Sequence, residues 1–346
     1  MKKNIYKKIP VIVLLLCITV SGCSKSGSEK LPVHPTPGFE FAKGADISWV
    51  TQMESAGVKF YNGAGVQTEL IALLKSAGIN SIRLRAWVNP SSGWNNTADV
   101  VAKAIRAQNL GMRILLDLHY SDTWADPSNQ TKPAAWALQD INALQASVKN
   151  YTTDVMNALK LNGITPDWVQ VGNETNDGML WPEGKASTNM ANFAKLINAG
   201  YDAVKAVSST SKVIVHISNG YDNNLFRWIF DGLQNNGAHW DVIGMSLYPT
   251  VTNYALQNSQ CLANMNDMVL RYNKEVMICE VGMSWDQPDA CYSFISDLMQ
   301  KANSIANNKC LGIFYWEPEA YNNWMGYTLG AFDNSGKPTK ALDAFK

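Results

Sequence analysis

The sequence predicts an α/β protein with a single (β/α)8 TIM-barrel domain. Two observations favour this fold: from residue 44 onward eight short apolar runs alternate with longer helical patterns, and no glycine-rich turn follows the first run. The alternative for such alternation is an open doubly wound sheet, which usually carries a phosphate-binding glycine turn at that point. The alternation continues to a last helix near Leu342 without a short repeat or a second domain.

The eight predicted strands are short, and several are nearly continuous in Val, Ile and Leu, as expected of strands covered on both faces. In chain order they span residues 45–49, 81–87, 113–119, 168–173, 213–218, 242–248, 276–281 and 312–316. Gly78, Gly111 and Gly163 each follow a helical pattern and precede a strand. We therefore expect these glycines to end helices in the left-handed conformation.

The first residues have the pattern of a bacterial export signal. Four lysines among the first eight residues precede an apolar run over 11–20, which is too short to cross about 30 Å of hydrocarbon as a helix. The segment Val20-Ser21-Gly22-Cys23 resembles a lipobox. We expect a lipoprotein signal peptide at 1–22, a lipidated Cys23 with a flexible tether to residue 38, and the barrel at 39–346. The chain is thus expected to be an exported, membrane-anchored lipoprotein, and an ordinary cleaved signal is the alternative.

Composition narrows the function. A formal net charge of zero argues against an electrostatic nucleic-acid binder, and we expect a monomer. The 12 Trp and 13 Tyr residues suit stacking on sugar faces, although most such rings simply pack. The four cysteines of the barrel region show no metal-ligand spacing, and their pairing is left open. They are Cys261, Cys279, Cys291 and Cys310.

Two glutamates stand at predicted strand ends, where barrel enzymes place their catalytic groups. Glu174 follows the fourth strand and Glu280 lies near the end of the seventh. Glycoside hydrolysis needs one carboxylic acid to protonate the leaving oxygen and a second carboxylate to attack or to activate water. Strands four and seven lie on opposite sides of the barrel, so the sequence predicts Glu174 and Glu280 as this pair. A separation of roughly 5–5.5 Å would give retention of anomeric configuration.

Other polar and aromatic residues at the same end are predicted to bind substrate. They are Asp46, Arg85, Trp87, His119, Asp122, Trp124, Asn173, Tyr248, Trp285 and Trp316. Arg83 is assigned to a structural ion pair with Asp46 or Asp117. Arg85, nearer the mouth, is assigned to the substrate and, with His119, to keeping the nucleophile ionised. Any of these residues alone could be a cap or a core residue, but together they gather at one end of several strands.

Several separate motifs resemble the endo-β-1,4-galactanases of glycoside hydrolase family 53. They span residues 44–49, 59–62, 78–90, 117–127, 170–182 and 315–318. The resemblance implies internal cleavage of the β-1,4-galactan side chains of pectin (type I arabinogalactan), with Glu174 as acid/base and Glu280 as nucleophile. It also implies that Asn173 holds the sugar 2-hydroxyl, and that Arg85, His119, Tyr248 and Trp316 line the cleavage position.

The resemblance requires no cofactor, and it leaves one metal question open. Some relatives carry calcium in the loops after strands seven and eight, where Asp286, Asp289, Asn322 and Asn323 could supply oxygen ligands. No recognisable calcium loop fixes these residues. The alternatives in function are a β-1,4-mannanase or cellulase of the same clan, and a non-catalytic surface glycan-binding protein. Activity on a panel of polysaccharides separates all three.

Overall fold

The computed structural model describes Met1 and residues 40–346. The described residues do not include Cys23, the tether to residue 38, or any part of the predicted signal peptide except Met1. The segment Phe39–Lys346 forms one compact unit.

Eight parallel strands close into a barrel in chain order, and β8 pairs with β1, so the predicted fold is confirmed. The strands are β1 (Ala42–Asp46), β2 (Ser81–Ala86), β3 (Arg113–Leu118), β4 (Trp168–Val171), β5 (Lys212–Ile217), β6 (Val242–Leu247), β7 (Glu275–Val281) and β8 (Cys310–Trp316). Seven of the eight lie where the apolar runs predicted them. The exception is β1, which ends three residues earlier because the Asp46 carboxylate accepts from the Ser48 N–H at 2.9 Å and the chain turns there.

Helices cover the outside of the barrel. They are α1 (Val50–Ser55), α2 (Leu70–Ser76), α3 (Thr97–Asn109), α4 (Ile141–Leu161), α5 (Ala186–Val207), α6 (Asn223–Asn235), α7 (Tyr254–Tyr272) and α8 (Pro288–Asn303). The last unit ends in a 3-10 helix, Lys340–Phe345, in place of an α-helix. Gly78, Gly111 and Gly163 have φ of +98°, +69° and +74°, as predicted for helix ends. Among the described residues, no helix is both long and apolar enough to span a bilayer.

The barrel interior changes from apolar to polar along its axis. A small cluster that includes Trp168, Ile214, Cys279 and Phe314 fills it toward the N-terminal ends of the strands. Gly44 belongs to this level, since a side chain there would overlap the Phe314 ring. Toward the C-terminal ends, buried charged and amide side chains replace the apolar ones. All four cysteines of the barrel are free and buried, and Cys279 is a core residue.

Candidate active site

A cavity of about 310 Å³ opens at the C-terminal mouth of the barrel. Its lining combines carboxylates with aromatic rings, which is the composition expected of a sugar site. The lining residues are His119, Trp124, Ala125, Asp126, Asn173, Glu174, Tyr248, Glu280, Trp316, Tyr327 and Leu329. Seven of the twelve residues predicted from the sequence are therefore brought together here, and both glutamates are among them.

Glu280 is held by two neighbours from other strands. Its Oε1 lies 2.8 Å from Nη2 of Arg83, and its Oε2 accepts from the Tyr248 hydroxyl at 2.8 Å. Burial raises the pKa of Glu280 above its usual value, whereas the Arg83 charge and the Tyr248 hydroxyl act to lower this pKa. These contacts favour the ionised form of Glu280 over that of Glu174.

Glu174 lies in a different environment. β4 ends just before Gly172, which has a φ of +85°, and Glu174 lies two residues further on. The φ of Glu174 itself is +44°, which is unusual for a residue with a side chain. Oε1 of Glu174 accepts from the Ser246 hydroxyl at 2.7 Å. Burial, then the charge of Glu280, raise the pKa of Glu174 to about 8. This pKa keeps Glu174 protonated at neutral pH, while the ion pair with Arg83 favours an ionised Glu280. Acid-assisted nucleophilic displacement needs one carboxyl in each state.

Arg83 is the centre of the buried polar layer. It forms ion pairs with Asp46 at 2.6 Å and Asp117 at 2.9 Å, which confirms the predicted structural pairs. It also donates to Asn173 Oδ1 at 2.9 Å, while Asn173 donates to the Ala125 carbonyl at 2.8 Å. The assignment of Arg83 to structure alone was incomplete, because the same guanidinium also contacts Glu280.

Arg85 does not line the cavity, contrary to the prediction. It is fully buried, pairs with Glu317 at 2.7 Å, and lies 4.3 Å from the ring centroid of Trp124. Three further rings surround its guanidinium at 5.2–5.9 Å, those of Trp49, Trp87 and Trp316. Arg85 therefore supports the aromatic lining from behind, and the cation that contacts Glu280 is Arg83 instead. The side chains of Arg83 and Arg85 lie on the same face of β2, but only Arg83 reaches Glu280.

His119 lines the cavity but does not contact Glu280. Its Nε2 lies 2.8 Å from Asp117, and its Nδ1 accepts from the Trp87 indole N–H at 3.2 Å and the Ala125 N–H at 3.3 Å. This pattern places the proton on Nε2. The predicted effect of His119 on the nucleophile is therefore indirect, through Asp117 and Arg83.

Four more predicted contacts lie outside the cavity lining. Asp46 is buried against Arg83, and Trp87 packs edge-on against Trp124 with ring centroids 5.1 Å apart. Asp122 accepts from the backbone N–H groups of Asn89 and Ala134 at 2.9 Å each, so it stabilises loops. Trp285 lies in the loop after β7, half-buried and away from the two glutamates.

Comparison with known proteins identifies the family. Residues 42–345 match the profile of glycosyl hydrolase family 53. An arabinogalactan endo-β-1,4-galactanase A of Aspergillus niger is 37% identical over 302 residues, which covers 81% of this chain and 86% of that protein. An arabinogalactan endo-β-1,4-galactanase of Thermothelomyces thermophilus is 33% identical over 329 residues, with coverage of 88% and 98%.

The chain belongs to glycosyl hydrolase family 53. A structure reported for two fungal β-1,4-galactanases superposes with a TM-score of 0.80 at 32% identity, covering 87% of this chain and 98% of that one. The resemblance noted in the sequence motifs is confirmed, and the chain is a glycoside hydrolase.

Three of the four residues considered for calcium have protein contacts in this family 53 member. Asp289 pairs with Lys340, and Asp286 accepts from the Ser284 hydroxyl at 2.7 Å. Asn322 has a backbone contact of 3.1 Å with the side chain of Asn334. Within the described residues, no group of three or more His, Cys, Asp or Glu side chains could hold a metal ion.

Several residues at the site are not among those predicted from the sequence. Asp126, Tyr327 and Leu329 all line the cavity of this family 53 chain. Ser246 and His216 were hidden inside apolar strands, where a single polar residue gives little signal. A period-two reading of β5 and β6 would place both side chains on the inward face.

Proposed function

We propose that this chain is a retaining endo-β-1,4-galactanase that cleaves internal bonds of β-1,4-galactan. The observation that carries the proposal is that Glu174 and Glu280 line one cavity with different partners: Glu280 contacts Arg83 and Tyr248, and Glu174 accepts from Ser246. The galactanase names of the family 53 relatives support galactan as the substrate.

In the proposed mechanism, Glu280 attacks the anomeric carbon while Glu174 protonates the leaving oxygen. The negative charge of Glu280 is stabilised by Arg83 and Tyr248 until it forms the bond to the sugar. Glu174, now ionised, takes a proton from water, and that water displaces Glu280 from the glycosyl-enzyme. Asn173, fixed between Arg83 and the Ala125 carbonyl, presents its amide toward the cavity, which suits the proposed contact with the sugar 2-hydroxyl.

The aromatic lining supports binding of a polysaccharide. Trp124 and Trp316 line the cavity, and their ring centroids lie 5.8 Å apart. Arg85 and the neighbouring rings restrict their movement, so little conformational entropy is lost when a sugar binds. Such preformed aromatic surfaces match the apolar faces of galactose units.

We further propose that the chain is exported and anchored through lipid on Cys23, and that the barrel acts as a monomer. The proposal of export and a lipid anchor rests on the signal and lipobox patterns of residues 1–23. Metabolic labelling with a radioactive fatty acid should mark the native chain and not the Cys23→Ala variant. Equal labelling of the two would remove the anchor from the proposal.

The first test of function is reducing-end release from β-1,4-galactan, β-mannan and carboxymethyl-cellulose, with Glu280→Ala as the control. Release from galactan alone, absent in the variant, is the expected result. Release from mannan or cellulose instead would preserve the mechanism and overturn the substrate. Tight binding of galactan without product would identify a binding protein.

A further inference from the structure

Ser246 and His216 connect the Glu174 carboxyl to the buried polar layer. The Ser246 hydroxyl oxygen lies 2.7 Å from Glu174 Oε1 and 2.8 Å from His216 Nε2. The two connecting residues are 1% and 0% exposed, so water does not compete for these bonds. The direction of each bond decides what the chain of groups does to Glu174.

The protonation of the His216 ring follows from the donors around Nδ1. Gln170 Nε2 lies 3.0 Å from Nδ1, and the Glu174 backbone N–H points to the same atom at 3.4 Å. The Gln170 amide is oriented because its Oε1 accepts from Arg83 Nε at 2.8 Å, so its Nε2 must donate. Two donors therefore converge on Nδ1.

One acceptor also lies beside Nδ1. Asn173 Oδ1 is 3.0 Å away, but it already accepts from Arg83 Nη2 at 2.9 Å. Two donors against one partly satisfied acceptor favour an unprotonated Nδ1. The charge of Arg83 and burial also keep the pKa of His216 well below its usual value, so the ring is neutral. The single ring hydrogen is then on Nε2 and is donated to Ser246.

Ser246 has one hydrogen, and its oxygen accepts from His216, so that hydrogen is donated to Glu174 Oε1. We propose that Ser246 and His216 are positioning residues that keep the transferable proton of Glu174 on Oε2. Among the residues that the structure describes, none forms a hydrogen bond with Oε2 of this cavity-lining glutamate. This inference rests on the proposed acid/base role of Glu174.

The same arrangement serves both steps of the reaction. In the first step, the Oε2 proton moves to the glycosidic oxygen, which keeps the electron pair of the breaking bond, while Ser246 continues to donate to Oε1. In the second step, Oε2 takes a proton from water as the water oxygen bonds to the anomeric carbon and the bond to Glu280 breaks. Neither Ser246 nor His216 has to gain or lose a hydrogen between the two steps.

The charged groups around the chain limit how a pH profile is interpreted. Glu174 faces Glu280 on β7, Arg83 on β2 and Asp126 after β3. His216 also faces Arg83, Asp117 on β3, and His119, which directly follows β3. Replacing Ser246 changes none of these charges. It removes only a donor that lowers the pKa of Glu174, so any pH shift reports on that donor.

The test compares Ser246→Ala, Ser246→Thr and the control Ser211→Ala. Ser211 is equally buried at 1% exposure, but it donates to the Pro166 carbonyl at 2.6 Å near the start of β5, away from the cavity. For Ser246→Ala, we expect kcat on galactan to fall on the order of tenfold to a hundredfold, as for a lost bond to a charged group. The basic limb of kcat/KM should move to higher pH.

Two comparisons separate positioning from a general structural effect. An aryl β-galactobioside with a good leaving group needs little acid assistance in the first step, so its kcat/KM, which reports that step, should stay close to the native value in Ser246→Ala. Ser246→Thr retains the hydroxyl and should restore most of the galactan activity. Equal losses on the two substrates, or a basic limb that stays in place, would overturn the proposal.

The His216 hydrogen can be located directly. NMR of protein labelled with ¹⁵N-histidine, with His216→Gln to assign the resonance, should show hydrogen on Nε2, and hydrogen on Nδ1 would refute the inference. If Glu174→Ala is inactive on galactan while Ser246→Ala is normal, the Ser246 and His216 roles fail and the proposed function stands. A fully active Glu174→Ala would overturn the proposed function itself.

Discussion

Nη2 of Arg83 lies 2.8 Å from Oε1 of Glu280, although Arg83 also pairs with Asp46 and Asp117. One guanidinium thus stabilises three carboxylates in a water-poor interior. Removing it would leave all three unpaired, and breaking even one buried pair costs roughly 3–5 kcal/mol. Arg83 is therefore a poor position at which to measure the contribution of Glu280 separately. Tyr248, which forms the second contact of Glu280, is a better position for that measurement.

Tyr248→Phe removes the hydroxyl that donates to Glu280 at 2.8 Å. Because this bond stabilises the carboxylate, its loss raises the pKa of Glu280, and the acid limb of kcat/KM should move to higher pH. We expect kcat/KM on galactan to fall by about tenfold or more.

The matched control is Tyr327→Phe. Tyr327 lines the same cavity, but its hydroxyl faces the Trp316 carbonyl at 3.2 Å. It should leave the acid limb in place. If both variants move the limb equally, Tyr248 does not act through Glu280.

Glu174→Gln should change how stability depends on pH. The pKa of Glu174 is about 8 in the folded protein, against about 4.3 for an exposed glutamate. Between these values the folded state binds more protons than the unfolded state, so the native free energy of unfolding falls as pH rises. The variant cannot ionise, and above pH 8 its stability relative to the native protein should have risen by up to about 5 kcal/mol compared with pH 4.

Urea unfolding at pH 4, 6 and 8 measures this difference. The pH-dependent difference between the two proteins should be smallest at pH 4, where Glu174 is mostly protonated in both states. Glu40→Gln, an exposed change 3.8 Å from Arg113, should show no such trend. A stability difference that stays constant with pH would contradict the raised pKa.

Glu280→Ala should lower turnover of galactan by several orders of magnitude, because it removes the proposed nucleophile and should leave the fold intact. The space left beside Arg83 can admit azide, which would attack from the same side as the lost carboxylate. We expect rescue by azide with an activated substrate, giving a glycosyl azide of inverted configuration, as NMR of the product would show. Glu174→Ala should instead retain cleavage of substrates with good leaving groups. Rescue with the opposite stereochemistry would exchange the two roles.

Arg85→Met should destabilise the barrel, because it leaves the Glu317 carboxylate buried without its cation. Losing one partner of a buried pair costs about 3–5 kcal/mol, which urea unfolding would detect. The double variant Arg85→Met/Glu317→Gln should recover part of this loss, because no unpaired charge remains. If the double variant is as unstable as the sum of the two single variants, packing against the tryptophans is the main contribution of Arg85.

The sequence by itself determined the barrel and placed the two candidate catalytic glutamates. Strand periodicity places side chains on alternate faces, and Glu174 and Glu280 lie at strand ends, which always meet at one mouth in this fold. These two features depend on local spacing, so they can be read along the chain. The left-handed ends of the helices at Gly78, Gly111 and Gly163 could be predicted for the same reason.

Only the tertiary structure decided which inward side chain meets which. Arg83 and Arg85 have the same parity on β2, yet one reaches Glu280 and the other Glu317, because the stagger between strands sets the height of each contact. His216 on β5 and Ser246 on β6 form one chain of hydrogen bonds to Glu174, which follows β4. Such contacts depend on closure of the barrel, which no spacing along one strand specifies.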